Sequence, residues 1–420
     1  MQAMTQDLLS YEKAAAVVSE FARGLQATRP AVERVVLGAV AGRVLAKAVV
    51  ADQDQPAFPR STRDGFALRA EEASTHAFLP VAGTTHAGEA PPGPLLKGNV
   101  WEIMTGAAVP AGADAVVMVE HVEREGERVR LLDSRKIATG DNIIAAGAQA
   151  RRGAELVPVG TRMGIAQIAI AASCGYATVE VFVRPRVAIL TTGDELVRVD
   201  AEPGPGKIRN SNAPMLAALV AAAGGEPWVL PVVADTAEAL DTALRDTVDA
   251  DLLLISGGVS AGKFDLVEPA LARAGAKFHF TGIRMQPGKP LVFGALPRSK
   301  TKSALPFFGL PGNPISSAAT FLLFGAPVLA ALAGARELGP RFFSARLTKE
   351  TDRKAKPGLT RFLPALCEFG AASSVLPQVA TVPWHGSGDL PAFARSNCFL
   401  VIPEGESSLE AGAFVRILMM

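Results

Sequence analysis

Short, continuous apolar runs punctuate the middle of the chain: Val187-Ala-Ile-Leu190, Leu252-Leu-Leu-Ile255, Leu291-Val-Phe293 and Phe307-Phe308. Runs of this length alternating with helix-like segments are what strands buried on both faces look like, so they predict an α/β unit with a mostly parallel sheet. Asn210-Ser-Asn212 offers a cap for a helix through Pro214–Ala223, stopped by Gly224-Gly225, and Thr236–Thr247 reads as another helix. Outside this region the texture differs. Leu9–Gly24 has helical spacing behind Ser10 as N-cap, and Val32–Val50 is a second helix-prone piece. From Asp52 to Ala150, Pro and Gly separate short Val-rich runs, with strands expected at Leu79–Ala82, Val100–Met104 and Ala115–Glu120. Helical spacing returns at Val157–Ala172, and from Arg341 short strands follow, ending in Phe399–Ile402 and Phe414–Leu418. The expected organisation is therefore a helical domain in two pieces (1–50 and 151–184), an inserted β domain (51–150), an α/β domain (185–336) and a C-terminal β domain (337–420).

Composition narrows the function classes. A chain of 420 residues suggests three or four domains at about 100–200 residues each. With 42 basic and 41 acidic residues the net charge is +1, which argues against nucleic acid or an anionic membrane as the main partner. Cys174, Cys367 and Cys398 are scattered, an odd set that fits neither a disulfide framework nor a zinc site. No basic segment followed by an apolar run opens the chain, so the cytoplasm is the default location. Pro311–Ala335 carries no charge and has the length of a bilayer span. It begins in a Pro-Gly-Asn-Pro turn, contains Ser316, Ser317 and Thr320 and is interrupted by Pro327, so a buried helix is expected and no transmembrane segment.

Candidate chemistry gathers at the ends of the apolar runs. Thr191-Thr-Gly-Asp-Glu195, Ser256-Gly-Gly-Val-Ser260 and Gly309-Leu-Pro-Gly-Asn-Pro314 each follow a run, and Pro287-Gly-Lys-Pro290 precedes one. Ligands of open α/β sheets sit beyond the carboxyl ends of the strands, and Gly-rich loops there let backbone N–H groups approach a phosphate closely. Thr192, Gly193, Asp194, Ser256, Gly257, Gly258, Ser260, Pro311, Gly312, Asn313 and Pro314 are the expected lining of an anion pocket. Asn313 as N-cap and Pro314 at the first helical position would aim a helix N-terminus at it. Two prolines frame Lys289 and pre-organise it as an oxyanion contact. Glu195, Asp235 and Asp265 fall near the carboxyl ends of expected strands. Carboxylates would repel a phosphate unless a divalent cation bridges them, which makes these three the candidate Mg²⁺ ligands. The five histidines show no ligand spacing.

Together with Ser61-x-x-Asp-Gly-Phe-Ala67, Ile103-Met-Thr-Gly-Ala107, Gly112-Ala-Asp-Ala-Val-Val117, Ser211-Asn212 and Gly386-Ser-Gly-Asp-Leu390, these strings resemble the MoeA-type molybdopterin molybdenumtransferases, the family that includes the gephyrin E domain. The likeness runs through nearly the whole chain in the family's order. It implies an elongated four-domain homodimer, with an active site between the α/β molybdopterin-binding domain of one subunit and other domains of its partner. The implied reaction inserts molybdate into adenylylated molybdopterin with Mg²⁺, giving molybdenum cofactor and AMP. Asp64, Thr105, Glu195, Asp235, Asp265, Lys289, Pro311 and Pro314 match the family's functional positions. The molybdopterin adenylyltransferase and molybdoenzyme acceptors are the implied protein partners.

The sequence departs from the pattern at several basic positions. Gln286 stands where a second lysine is usual, with Arg284 nearby; Ile143–Gln149 replaces an arginine-rich segment; Leu359-Thr-Arg-Phe-Leu-Pro364 holds one arginine of a usual pair; Arg63 stands beside Asp64 in place of an apolar residue. Each lost charge-assisted contact should weaken oxyanion capture by about 1.5–3 kcal/mol. Two alternatives therefore stand beside the enzyme: a divergent paralogue that binds molybdopterin or partner enzymes without catalysis, and a relative that adenylylates molybdopterin.

Overall fold

The computed structural model describes residues 8–26, 30–90, 93–258, 266–298, 303–351, 358–369 and 376–420. Its centre is a six-stranded sheet in which the four expected apolar runs form β1 (Arg186–Thr191), β3 (Leu252–Ser256), β5 (Val292–Leu296) and β6 (Leu305–Leu310), joined by two strands that are not apolar runs, β2 (Glu226–Val229) and β4 (Lys277–Thr281). The order across the sheet is 2-1-3-6-5-4. Strands β2, β1, β3 and β6 run parallel, while β5 and β4 are antiparallel to their neighbours. This edge reversal explains a feature of the sequence. Pro287-Gly-Lys-Pro290 precedes its strand, yet Val292 of β5 lies opposite Gly309 near the end of β6, so the loop joins the same rim as the others. The strand ahead of Asp235 is Glu226–Val229, and Val233, closer to that carboxylate, is held by a single bridge to Thr192.

One face of the sheet packs against helix Asn212–Ala222 and the uncharged helix Pro314–Leu332. By length and composition that second helix could cross a membrane, but 78% of its most apolar window is buried. It serves as a core element, with a π-helical stretch at Phe321–Gly325 leading into Pro327. The N-terminal helix Tyr11–Leu25, capped by Ser10 Oγ accepting from Lys13 N–H at 3.2 Å, buries Ala14, Val18 and Ala22 in this same core.

Val32–Val50 is a correction: it forms strands at Val32–Val36 and Val49–Val50 around a short 3₁₀ turn, not a helix. The β-branched run Val-Glu-Arg-Val-Val pairs antiparallel with Thr178–Phe182, where branched side chains pack well on a pleated surface. Together with helix Ile165–Ser173 these segments enclose a core of Val40, Leu45, Val49, Val157, Met163 and Val181.

The inserted β section is a six-stranded sheet containing Gly65–Leu68, Leu79–Thr85, Val100–Ile103 and Ala115–Met118, around Phe66, Leu68 and Val117. In the C-terminal section, Thr360–Glu368 pairs with both Gln378–Thr381 and Cys398–Ile402, which closes five strands into a ring. Leu9–Ser10 and Ile283–Gln286 extend that sheet, so the strand leading into Pro287-Gly-Lys-Pro290 is bonded on both sides by distant parts of the chain.

Candidate active site

Loops at the carboxyl ends of the parallel strands enclose a cleft of about 560 Å³. Thr192, Gly193, Glu195, Asp235, Ser256, Gly257, Gly258, Pro311, Gly312, Asn313 and Pro314 all line it, so three of the four loops converge as expected; the fourth contributes Pro290. Lys289 does not line the cleft; its side chain is exposed and its backbone carbonyl accepts from Ile283 N–H at 2.8 Å. Asp194 is exposed and does not line the cleft: its Oδ1 accepts from Asp235 N–H at 3.2 Å, and Lys207 Nζ donates to its carbonyl at 2.6 Å. Ser260 and Asp265 lie outside the described residues.

Thr192 Oγ1 donates to Asp235 Oδ1 and fixes that carboxylate at the rim. Glu195 folds over Gly193, where a Cβ would stand 2.7 Å from its Oε2. Among the described residues the Glu195 carboxylate has no hydrogen bond or ion pair. A second cluster ties the loops together. Asn212 Nδ2 donates to Ser256 Oγ at 2.8 Å and to the Gly312 carbonyl at 2.6 Å. Gly257 has φ +101, and a Cβ there would meet the Thr192 carbonyl at 2.4 Å, so only glycine lets these two strand ends approach.

Asn313 occupies the N-cap position, but its side chain does not cap the helix. Its Nδ2 donates to Ser387 Oγ at 2.9 Å, and the Ser387 carbonyl accepts from Ile315 N–H at 3.0 Å. The Gly386-Ser-Gly-Asp loop thus supplies the cap from the C-terminal section and places Gly388 and Leu390 on the cleft wall. Arg209, Asn210, Leu196 and Ile208 are lining residues given no role by the sequence beyond a helix cap, and Asn212 entered only as a cap and in the Ser211-Asn212 string. The polar run Arg209-Asn-Ser-Asn ahead of an apolar helix was the available signal.

Asp64 and Thr105 meet each other in the inserted β section and do not line this cleft. Asp64 Oδ1 accepts from Thr105 N–H at 2.6 Å and from Thr105 Oγ1 at 2.7 Å. The Thr105 N–H, and then its hydroxyl, hold the Asp64 carboxyl below its ordinary 3.8. A depressed folded value means these bonds contribute stability above the unfolded value, and the contribution is lost as pH falls through the folded one. We predict that Asp64 titrates below 3.8 in a carboxyl NMR titration, and that Thr105→Val returns it towards that value. An unshifted Asp64 in the parent would contradict the paired geometry.

Two of the arginines at the departing positions are engaged elsewhere. Arg284 pairs with Glu404 at 3.2 Å, and Arg361, buried in the C-terminal section, donates to the Ser407 carbonyl at 2.7 Å. Ile143–Ile144 forms a short ladder with Arg60–Ser61 behind the Asp64 loop.

Comparison with known proteins places this geometry. The family model described as MoeA N-terminal region (domain I and II) matches residues 9–175, the probable molybdopterin binding domain matches 188–331, and the MoeA C-terminal region (domain IV) matches 346–419. A relative from Nostoc sp. named molybdopterin molybdenumtransferase is 37% identical over 400 residues, 92% of this chain and 88% of the relative. One of the same name from Bacillus subtilis is 34% identical over 389 residues, 90% of this chain and 87% of the relative. The solved structure of the molybdopterin biosynthesis MoeA protein from Pyrococcus horikoshii OT3 superposes with a TM-score of 0.79 at 29% identity, covering 99% of this chain and 100% of that one.

Proposed function

The chain belongs to the MoeA family of molybdopterin molybdenumtransferases, and from that premise we propose that it inserts molybdate into adenylylated molybdopterin, releasing AMP and molybdenum cofactor. The observation that supports this most is the meeting of anion donors and unneutralised acid on one rim. Gly258 and Gly312 offer backbone N–H groups with no Cβ in the way, while Glu195 and Asp235 face the same space; Gly257 N–H is turned to the Leu310 carbonyl and Ile315 N–H to Ser387. AMP departure breaks a phosphate anhydride, a step that calls for charge neutralisation more than for a nucleophilic side chain.

In this reading the Gly258 and Gly312 backbone receives phosphate oxygens, and Asn212 keeps the loops in register. Thr192 holds Asp235 facing the guest, and Lys289, next to Pro290, reaches an oxyanion from the mouth. Glu195 and Asp235 would hold Mg²⁺, with Asp265 as the third ligand expected from the sequence. An acid without a protein partner beside phosphate donors suits such an ion. When bound, the ion supplies neutralisation of the anhydride oxygens.

The test is a purified-component assay with adenylylated molybdopterin, molybdate and Mg²⁺. Stoichiometric AMP release that stops when molybdate or Mg²⁺ is withheld is the expected result. No AMP release with all components present would leave the binding-only alternative, which the transferase relatives do not favour.

Asp64 and Thr105 enter this scheme if the catalytic cleft is completed by a second copy, and a homodimer is the proposed assembly. Ile165 (92% exposed), Val36 (60%) and Val32 (51%) leave apolar surface on the discontinuous section that an interface would cover. Mixing inactive Asp64→Asn and Glu195→Gln proteins should restore about a quarter of parental activity, because half of the random dimers are mixed and each carries one intact site. No recovery after verified subunit exchange would rule out a shared site. Cytoplasm is the proposed location, in keeping with three buried free thiols.

A further inference from the structure

Arg209 is the one cation among the described residues that line the cleft. It lies on a two-stranded parallel ribbon, Leu196–Val197 beside Ile208–Arg209, which forms one lip. The next residue anchors the ribbon: Asn210, 7% exposed, donates from Nδ2 to Thr191 Oγ1 at 2.9 Å and accepts at Oδ1 from Ala213 N–H at 3.1 Å. The backbone of Arg209 is therefore tied both to the end of β1 and to the start of helix Asn212–Ala222. Its Nε donates to the Ala201 carbonyl at 3.0 Å, which orients the guanidinium and leaves both Nη groups without a protein partner among the described residues. Leu196 and Ile208 share the same lip; Ile208 is 56% exposed, an apolar surface facing solvent beside a cation.

An oriented guanidinium presents paired N–H groups that match two phosphate oxygens. A flat apolar shelf next to it suits the face of a heteroaromatic ring. We propose that Arg209 is a specificity-determining residue that clamps the phosphate of the adenylate half of the substrate, with Leu196 and Ile208 against the adenine. The inference rests on the reading of the cleft given above. It assigns the adenosine end of the guest to this lip and puts the anhydride, of which the adenylate phosphate is one half, between Arg209 and the carboxylates.

The test is calorimetric titration of the full-length protein with AMP and with adenosine, in the presence of Mg²⁺. Arg209→Ala should weaken AMP binding by at least about tenfold while leaving adenosine unchanged, and Arg209→Lys should fall between. Raising ionic strength should shrink the difference between parent and Arg209→Ala. Equal AMP affinity in parent and Arg209→Ala overturns the inference, as does an equal loss for adenosine, which would mean altered ring packing. If the parent also releases AMP in the purified assay, only the Arg209 assignment falls. A parent that neither binds nor releases AMP removes the reading of the cleft and Arg209's role with it.

Discussion

Glu195→Gln should lower the rate of AMP release by about 100- to 1,000-fold, the range found when one pre-organised charge partner is removed from a transition state. The substitution keeps the shape of the side chain and removes its charge. Among the described residues the parent carboxylate bonds to nothing, so the folded state should lose little, within about 0.5 kcal/mol. Stability and rate are thus separated in a single variant. Asp235→Asn is a less clean probe, because Thr192 Oγ1 already donates to that carboxylate. If Glu195→Gln works at the parental rate across a range of Mg²⁺ concentrations, Glu195 does not hold the ion.

Gly65→Ala should be the most damaging substitution in the inserted β section. Gly65 opens the strand Gly65–Leu68, which pairs on one side with Val100–Ile103 and on the other with Ala115–Met118. A Cβ there would stand 1.9 Å from the Val117 carbonyl oxygen and 2.8 Å from its carbon. Both are backbone atoms of a paired strand, so no side-chain rotation relieves the clash and the ladder itself must open. Overpacking of this kind costs about 3 kcal/mol or more. Trp101, whose Nε1 donates to Thr85 Oγ1 at 2.7 Å in the same sheet, reports the loss. Its emission in a Trp228→Phe, Trp384→Phe background should give a lower urea midpoint for Gly65→Ala. The next residue back is Asp64, so AMP release should fall as well. An unchanged midpoint would show that the sheet accommodates a methyl group at that position.

How much of this was legible in the chain depends on how local each cause is. Four strands of the central sheet were readable because burial on both faces leaves an uninterrupted apolar run, and the glycine loops because they sit at the ends of those runs, whereas the edge strands Glu226–Val229 and Lys277–Thr281 are partly exposed and leave no such run. Val32–Val36 was misread as helix-prone: its partner, Thr178–Phe182, lies far along the chain, and the pairing decides what the local pattern leaves open. Asn313 looked like a cap by position, yet Ser387, contributed by the C-terminal section, accepts both the Asn313 side chain and the Ile315 N–H. Nothing near Asn313 announces that contact. Arg209 was passed over for a related reason. A lone arginine in a polar stretch is usually a solvated side chain, and only the fold makes it the lip of a cleft. The Asp64–Thr105 pair, 41 residues apart, was reachable from the sequence only through family likeness.

A crystal structure of the full-length protein soaked with AMP and Mg²⁺ addresses the core of the account most directly. The predicted result is an ion about 2.1 Å from carboxylate oxygens of Glu195 and Asp235, with the AMP phosphate within reach of the Gly257–Gly258 backbone. AMP seated outside this cleft, or an ion held by neither Glu195 nor Asp235, would contradict it.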